Sequence, residues 1–324
     1  MDSNFPYPIN NPSALKFKPL SDEERHERFL KHLSPGVTRT QYTALLERIL
    51  REGELVYNER TKKHCLVILS HRMEYDVGAG HFPLDSTRKS YPKSAIFEKV
   101  GYWRGYEWAS QFRNIGVKTW DANANETEAW INSPYRKGED HIGRAYGAQL
   151  RRWKGHDGKE IDQLMSVYER IRSGKDDRGL IMTFYNPGEF ELGALRPCLH
   201  THQFSILGDG LYLESQQRSN DVPNGQNFNQ IQIFWTLYTM AAITGLKPKK
   251  AVQNIANAHI YEDQFETVIE QLNNEPFEEK AKLILPDAST YTMDYILDDN
   301  GFKPSDVVIE GYESHRAIKH AFSA

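Results

Sequence analysis

Cysteine is scarce in this chain, with Cys65 and Cys198 the only two among 324 residues. Two thiols cannot build the multi-bridge framework of a small secreted scaffold. They fit a reducing compartment, where a free thiol stays a thiol, so a cytoplasmic protein is expected. Long hydrophobic runs are missing too. Nowhere do about eighteen apolar residues follow one another, which argues against a transmembrane helix. The opening run Met1-Asp2-Ser3-Asn4-Phe5-Pro6 lacks the charged-then-apolar order of a secretion signal. Lys and Arg number 40 against 44 acidic residues, a net charge of -4, and no polybasic tract marks a nucleic-acid partner. With no internal repeat, low-complexity segment or linker, a single α/β domain is the simplest expectation.

Periodicity and turn residues supply the outline. Residues 1–20, rich in Pro, Asn and Ser, predict an extended arm and leave 21–324 as the folded domain. Two helical patterns fill 21–53 and stop at Gly53. Cys65–Leu69 predicts a strand, and 93–112 a helix softened at Gly105. Residues 121–145 are polar and turn-rich, too long for a simple connector. A helix is expected over 162–171 and a strand over 180–185. His200–Leu207 and Leu211–Gln217 flank Gly208-Asp209-Gly210 as a hairpin. A buried helix is expected over 230–246, another from about Glu262, and a late strand at 307–309.

Cys198 is the most informative residue. It follows a rigid proline in Leu195-Arg196-Pro197-Cys198-Leu199-His200-Thr201-His202. A cysteine attacks well when cations or backbone donors favour its thiolate, and Arg196 and Arg218 are candidates for that charge. A small core thiol is an equal reading. On a regular strand Cys198, His200 and His202 would share one face, which also admits a three-ligand metal site, or simply two half-exposed histidines. Arg218-Ser219 offers a guanidinium fork and a hydroxyl, suited to a phosphate or to an ordinary surface. Asn229 can donate and accept together and so read the edge of an amide-containing ring; the competing role is the N-cap of the helix from Gln230. His259 and Tyr261 share a face if extended, able to grip sugar hydroxyls or merely to pack.

Several separate segments together resemble one family, thymidylate synthase. They are Asn58-Glu59-Arg60-Thr61, Phe82-Pro83-Leu84, Thr119-Trp120-Asp121-Ala122-Asn123 and Gly143-Arg144-Ala145-Tyr146-Gly147. Pro197-Cys198, Gln217-Arg218-Ser219-Asn220-Asp221, Phe228-Asn229, Ala258-His259-Ile260-Tyr261 and the tail Ile309-Glu310-Gly311-Tyr312 follow in order. The resemblance runs from about Tyr42 to Ala324. It implies a homodimer of α/β subunits, each a mostly mixed sheet flanked by helices and packed at the dimer interface. It implies transfer of a one-carbon unit from methylenetetrahydrofolate to dUMP, with the same folate as reductant and no metal.

The resemblance also distributes roles. Cys198 would add to carbon-6 of the pyrimidine. Glu98 and Tyr146 would organise water and proton transfer. Arg60, Arg218 and Ser219, with Gln217 beside them, would hold the nucleotide's phosphate side, and Arg178 would reach in from the other subunit. Asn229 would pair with the uracil edge, and His259 and Tyr261 with the sugar. Trp120, Asp221, Asn224, Gly225, Phe228 and the terminal Ala324 would border the folate, and the tail would close over the site.

This chain departs from the family at four places. Leu199 replaces a histidine after the nucleophile, Gly179 a second arginine, Asn224 a leucine and Ala324 a terminal valine. Asn224 and Ala324 predict a smaller or wetter lid, which keeps open a dUMP hydroxymethylase, in which water captures the same intermediate. A non-catalytic RNA-binding relative and a Cys/His metalloenzyme are the remaining alternatives.

Overall fold

The computed structural model describes residues 17–322. Its centre is an eight-stranded mixed sheet. The strands are β1 (Phe17–Lys18), β2 (Glu54–Asn58), β3 (Lys63–Asp76), β4 (Ile181–Thr183), β5 (Leu199–Leu207), β6 (Gly210–Gln217), β7 (Asn220–Asp221) and β8 (Lys247–Tyr261). Their order is β1-β2-β3-β8-β6-β5-β4, with β7 also paired to β8. β8 runs antiparallel to β3 but parallel to β6 and β7. Of the expected arm, the described end, 17–18, is the edge strand beside β2.

Six helices matter for the site: α1 (Gln41–Glu52), α2 (Pro92–Trp103), α3 (Tyr146–Arg151), α4 (Gln163–Arg172), α5 (Asn227–Thr244) and α6 (Phe265–Leu272). Thr40 caps α1 through its side chain, worth about 1 kcal/mol. Tyr42, Leu45, Leu46, Ile49 and Leu50 then present one buried face of α1. α5 is apolar nearly all round and accordingly lies inside the protein, where Trp235 meets Trp103 of α2 at 4.8 Å between ring centroids. Gly245 ends α5 in the left-handed conformation, φ 74°.

Three elements differ from the sequence expectation. The helix expected over 93–112 is two, Pro92–Trp103 and Ala109–Asn114, because Gly105 at φ 74° turns the chain between them. α5 begins at Asn227 rather than Gln230, because a π-turn at Val222–Gln226 feeds directly into it. The segment holding His259 and Tyr261 is extended, and β8 reaches far upstream of it, where no strand was expected. Its polar residues hide it from a strand pattern: buried Gln253 has both ends of its amide hydrogen-bonded, to Gln217 and Gln226. The polar segment 121–145 is ordered by charge, with Arg113 holding Asp121 and Asp140 together.

Along β5 and β6 the side chains alternate. His202, Phe204, Leu211, Leu213, Ser215 and Gln217 face the core, while Thr201, Gln203, Tyr212 and Gln216 remain half-exposed on the other face.

Candidate active site

The short link from Pro197 into β5 puts Cys198 at the rim of the sheet. Its backbone N–H donates to the Tyr146 hydroxyl at 2.8 Å. Arg218, at the end of the neighbouring strand β6, folds back across this link. Its Nε donates to the Pro197 carbonyl at 3.0 Å and its Nη2 to the Arg196 carbonyl at 2.9 Å. The same Nη2 lies 3.7 Å from Cys198 Sγ. Burial raises the Cys198 thiol, while the Arg218 and Arg60 guanidiniums pull it back and Asp221 adds to the rise. The two arginines therefore limit the desolvation cost of a thiolate without reversing it.

A cavity of about 150 Å³ opens beside this rim. Its wall includes Glu98, Lys99 and Tyr102 of α2, Trp120, Tyr146, Asn229 of α5, and Leu195 and Leu199 on either side of Cys198. Tyr102 stacks on Tyr146 with centroids 4.6 Å apart, and Trp120 meets Tyr146 edge-on at 6.1 Å. Glu98 accepts from Gln232 Nε2 at 2.6 Å and from the Thr119 hydroxyl. Burial nonetheless raises its carboxyl above the ordinary range. A carboxyl raised in this way holds a proton more readily and can pass it to a bound ring. A larger cavity, about 270 Å³, lies between Arg104, Glu107, Trp108 and Arg152, and its lining includes no cysteine, serine or threonine. The Arg152–Glu107 ion pair already answers its charges.

Asn229 is not an N-cap. Its Oδ1 accepts from Gln217 Nε2 at 2.9 Å. Gln217 Oε1 in turn accepts from Gln253 Nε2 at 2.5 Å, and Gln253 Oε1 from Tyr75 at 2.7 Å and Gln226 at 2.9 Å. This buried amide ladder fixes which end of the Asn229 amide is which. The amide nitrogen is left as a donor and one Oδ1 lone pair as an acceptor.

β8 brings in the last group. His259 pairs in register with Asp221 on β7, and Tyr261 with Cys65 on β3. The His259 and Tyr261 rings meet edge-on at 5.0 Å. Burial and the Arg60 charge lower His259 to about 4, which keeps it neutral. Asp221 accepts from Asn224 Nδ2 at 3.0 Å and from Gln264 Nε2. Both amides also donate to the Ala321 carbonyl, at 2.8 and 2.9 Å. Asn224 is thus committed to the C-terminal tail and is not a free polar group, as a wetter lid would require. Ser219 and Gly225 lie on the turns between β6 and α5, and Phe228 packs against the core from the first turn of α5.

One expected site residue lies apart from this group within its own chain. Arg178, at φ 68°, is exposed beside β5 near Gln203, whose Nε2 reaches the Arg178 carbonyl at 3.4 Å. That is about 17 Å along the strand from Cys198 of the same chain. Ala324 lies outside the described residues. The one-face premise of a Cys198-His200-His202 metal site fails, because a register shift between Leu199 and Thr201 breaks the alternation. His202 is buried with both ring nitrogens engaged, by Lys99 and Ser215. The sequence reading did not anticipate Lys99, Gln226, Gln253 or Gln264. Lys99 and Gln253 stand out only as polar residues in largely apolar segments, while Gln226 and Gln264 sit among polar neighbours and carry no such signal.

Fold and site define a class first: a mixed α/β enzyme that sets a cysteine, an arginine and an oriented amide around one aromatic-walled cavity. A family model described as Thymidylate synthase matches residues 40–324. A thymidylate synthase from Shewanella loihica is 53% identical over 286 residues, spanning 87% of this chain and 99% of the relative. Those from Idiomarina loihiensis and Haemophilus influenzae are 54% and 53% identical over the same shares. The chain belongs to the thymidylate synthase family.

Proposed function

We propose that this protein makes dTMP from dUMP by reductive methylation, with methylenetetrahydrofolate as co-substrate. The observation that carries the reading is the Tyr146–Cys198–Arg218 unit beside a cavity whose wall holds Tyr146 and the oriented Asn229 amide. Uracil presents a ring N–H beside a carbonyl, matching one acceptor and one donor on Asn229. Cytosine presents an acceptor beside an amine and would leave both mismatched. Arg218, with Arg60 and Ser219, supplies the phosphate side, where a phosphate dianion accepts from the guanidinium N–H groups and the hydroxyl. His259 and Tyr261 face the sugar from β8.

Cys198 Sγ adds to carbon-6 of the ring, and the electron pair moves to carbon-5, which becomes the nucleophile. The Glu98 carboxylate, through water positioned by the Tyr146 hydroxyl, takes up the proton that carbon-5 must lose before the thiolate is expelled. The folate supplies the one-carbon unit and the hydride. The residues present fit it: buried Trp120 offers an aromatic wall, and half-buried Asp221 offers a carboxylate acceptor for ring N–H groups. Glycine at 225 suits close packing there, since a Cβ would come within 2.9 Å of Asn220 Oδ1. Asn224 and Gln264 tie the tail to Asp221, which shields the exocyclic methylene from water and favours hydride capture over hydroxymethylation. Mass spectrometry of the product should find a methyl group and an equivalent of dihydrofolate. A hydroxymethyl product with tetrahydrofolate would overturn this reading.

The working unit is a cytoplasmic homodimer with Arg178 contributed across the interface. The remoteness of Arg178 from its own Cys198 and the half-exposed face of β5 and β6 support this. Mixing inactive Cys198→Ala with inactive Arg178→Ala subunits should restore activity to about a quarter of wild type, because one site in each mixed dimer is intact. No recovery would place Arg178 in its own subunit's site.

A further inference from the structure

The cavity wall holds a charge that the reaction described above does not use. Lys99 follows Glu98 on α2, is 1% exposed, and lines the same cavity. Its Nζ lies 2.6 Å from His202 Nε2, and His202 Nδ1 lies 2.8 Å from Ser215 Oγ. The Phe184 and Tyr102 rings flank Nζ at 5.1 and 6.0 Å. Among the described residues the His202 imidazole is its hydrogen-bond partner, with no carboxylate in that place. A buried ammonium held this way is costly unless a charge nearby compensates it.

The hydrogen-bond line can run in either direction. An ammonium donates to His202 Nε2, and Nδ1–H then donates to Ser215. A neutral amine accepts from Nε2–H, and Nδ1 then accepts from the Ser215 hydroxyl. The heavy atoms need not move between the two. The titratable groups around Lys99 are Glu98 and Tyr102 on its own helix, Tyr146 on α3, and His202 with His200 behind it on β5. Burial lowers Lys99 to about 7, with Glu98 the charge that opposes the fall. Glu98 is itself raised by burial and pulled back by Thr119, Gln232, Tyr102 and, last, Lys99. The pair can sit as carboxylate and ammonium or as two neutral groups, differing only in where one proton resides.

We propose that Lys99, steered by His202, is a positioning residue that sets the proton occupancy of Glu98 and thereby the pH range over which the ring chemistry runs. This rests on the reading of Glu98 given above. The test is the titration of the carbon-13 carboxyl signal that is present in wild type and absent from Glu98→Gln, in the ligand-free protein. Wild type should show two inflections, one belonging to Lys99, because the groups are coupled. Lys99→Met should show one, displaced upward, and the kcat limb lost in Glu98→Gln should move with it in the same direction. A Lys99→Met titration superimposable on wild type overturns the proposal, even if kcat falls, since packing alone would then explain the loss. If Lys99→Met does not fold, the wild-type curve decides, and a single inflection overturns the proposal. The carboxyl signal needs no substrate. Failure of the reaction reading would show separately, as absence of methyl product with the two-step titration intact.

Discussion

Cys65 within the sheet and Cys198 at its rim meet the same cost, yet they are chemically different. Cys65 lies within β3, 4% exposed, with its Sγ 3.6 Å from the Val56 carbonyl. Cys198 lies half-buried at the entry to β5. Burial is the largest influence on both thiols and raises both. What separates them is the sign of their neighbours. Asp221 and Glu262 add to the rise at Cys65, which reaches about 11. Arg218 and Arg60 oppose it at Cys198. A cysteine is readied for attack less by its own position than by the charges the fold turns toward it.

The largest effect that would break this contrast is in turnover. Cys198→Ala should lower dTMP formation by at least about a thousandfold while thermal unfolding stays near wild type. Cys65→Ala should do the reverse, leaving turnover intact and costing about 1 kcal/mol through the small void it opens. Equal loss of activity in both variants would erase the distinction. Arg218→Ala comes next. Removing one charge-assisted contact to the nucleotide costs about 1.5–3 kcal/mol, or roughly 10- to 150-fold in kcat/KM. The smallest effect is in thiol alkylation of the folded protein. The Cys198 rate should climb with pH as its raised thiol ionises, and Arg60→Gln should displace that climb upward by a few tenths of a unit, since an exposed arginine is well screened. Cys65 should stay unmodified until the protein unfolds. Mass spectrometry of the modified peptides would show whether the two thiols separate in this way.

Much of the fold was legible in local pattern. The hairpin from β5 to β6, α1 ending at Gly53, and the apolar α5 all follow from periodicity and turn residues. β8 was legible only at its end, because Gln253 and Asn254 interrupt any apolar alternation. Gln253 is tolerable in a central strand solely because Gln217, Gln226 and Tyr75 arrive from distant segments to bond it. The site was legible as a set of residue types in order, but not as an orientation. Asn229 reads equally well as an N-cap until Gln217 is seen to hold its oxygen. A regular strand would put Cys198 and His202 on one face, and a single register shift separates them.

The sequence by itself determined the inventory: one candidate nucleophile after a proline, the arginines and amides suited to a nucleotide, and the helices and hairpin that carry them. These are local properties, set by side-chain chemistry and by spacing along the chain. Only the tertiary structure decided which thiol faces guanidiniums and which faces carboxylates, which end of Asn229 points into the cavity, and that Lys99 shares a wall with Glu98. Electrostatic and hydrogen-bond energies fall off over a few ångströms through space, and sequence distance says nothing about separations on that scale.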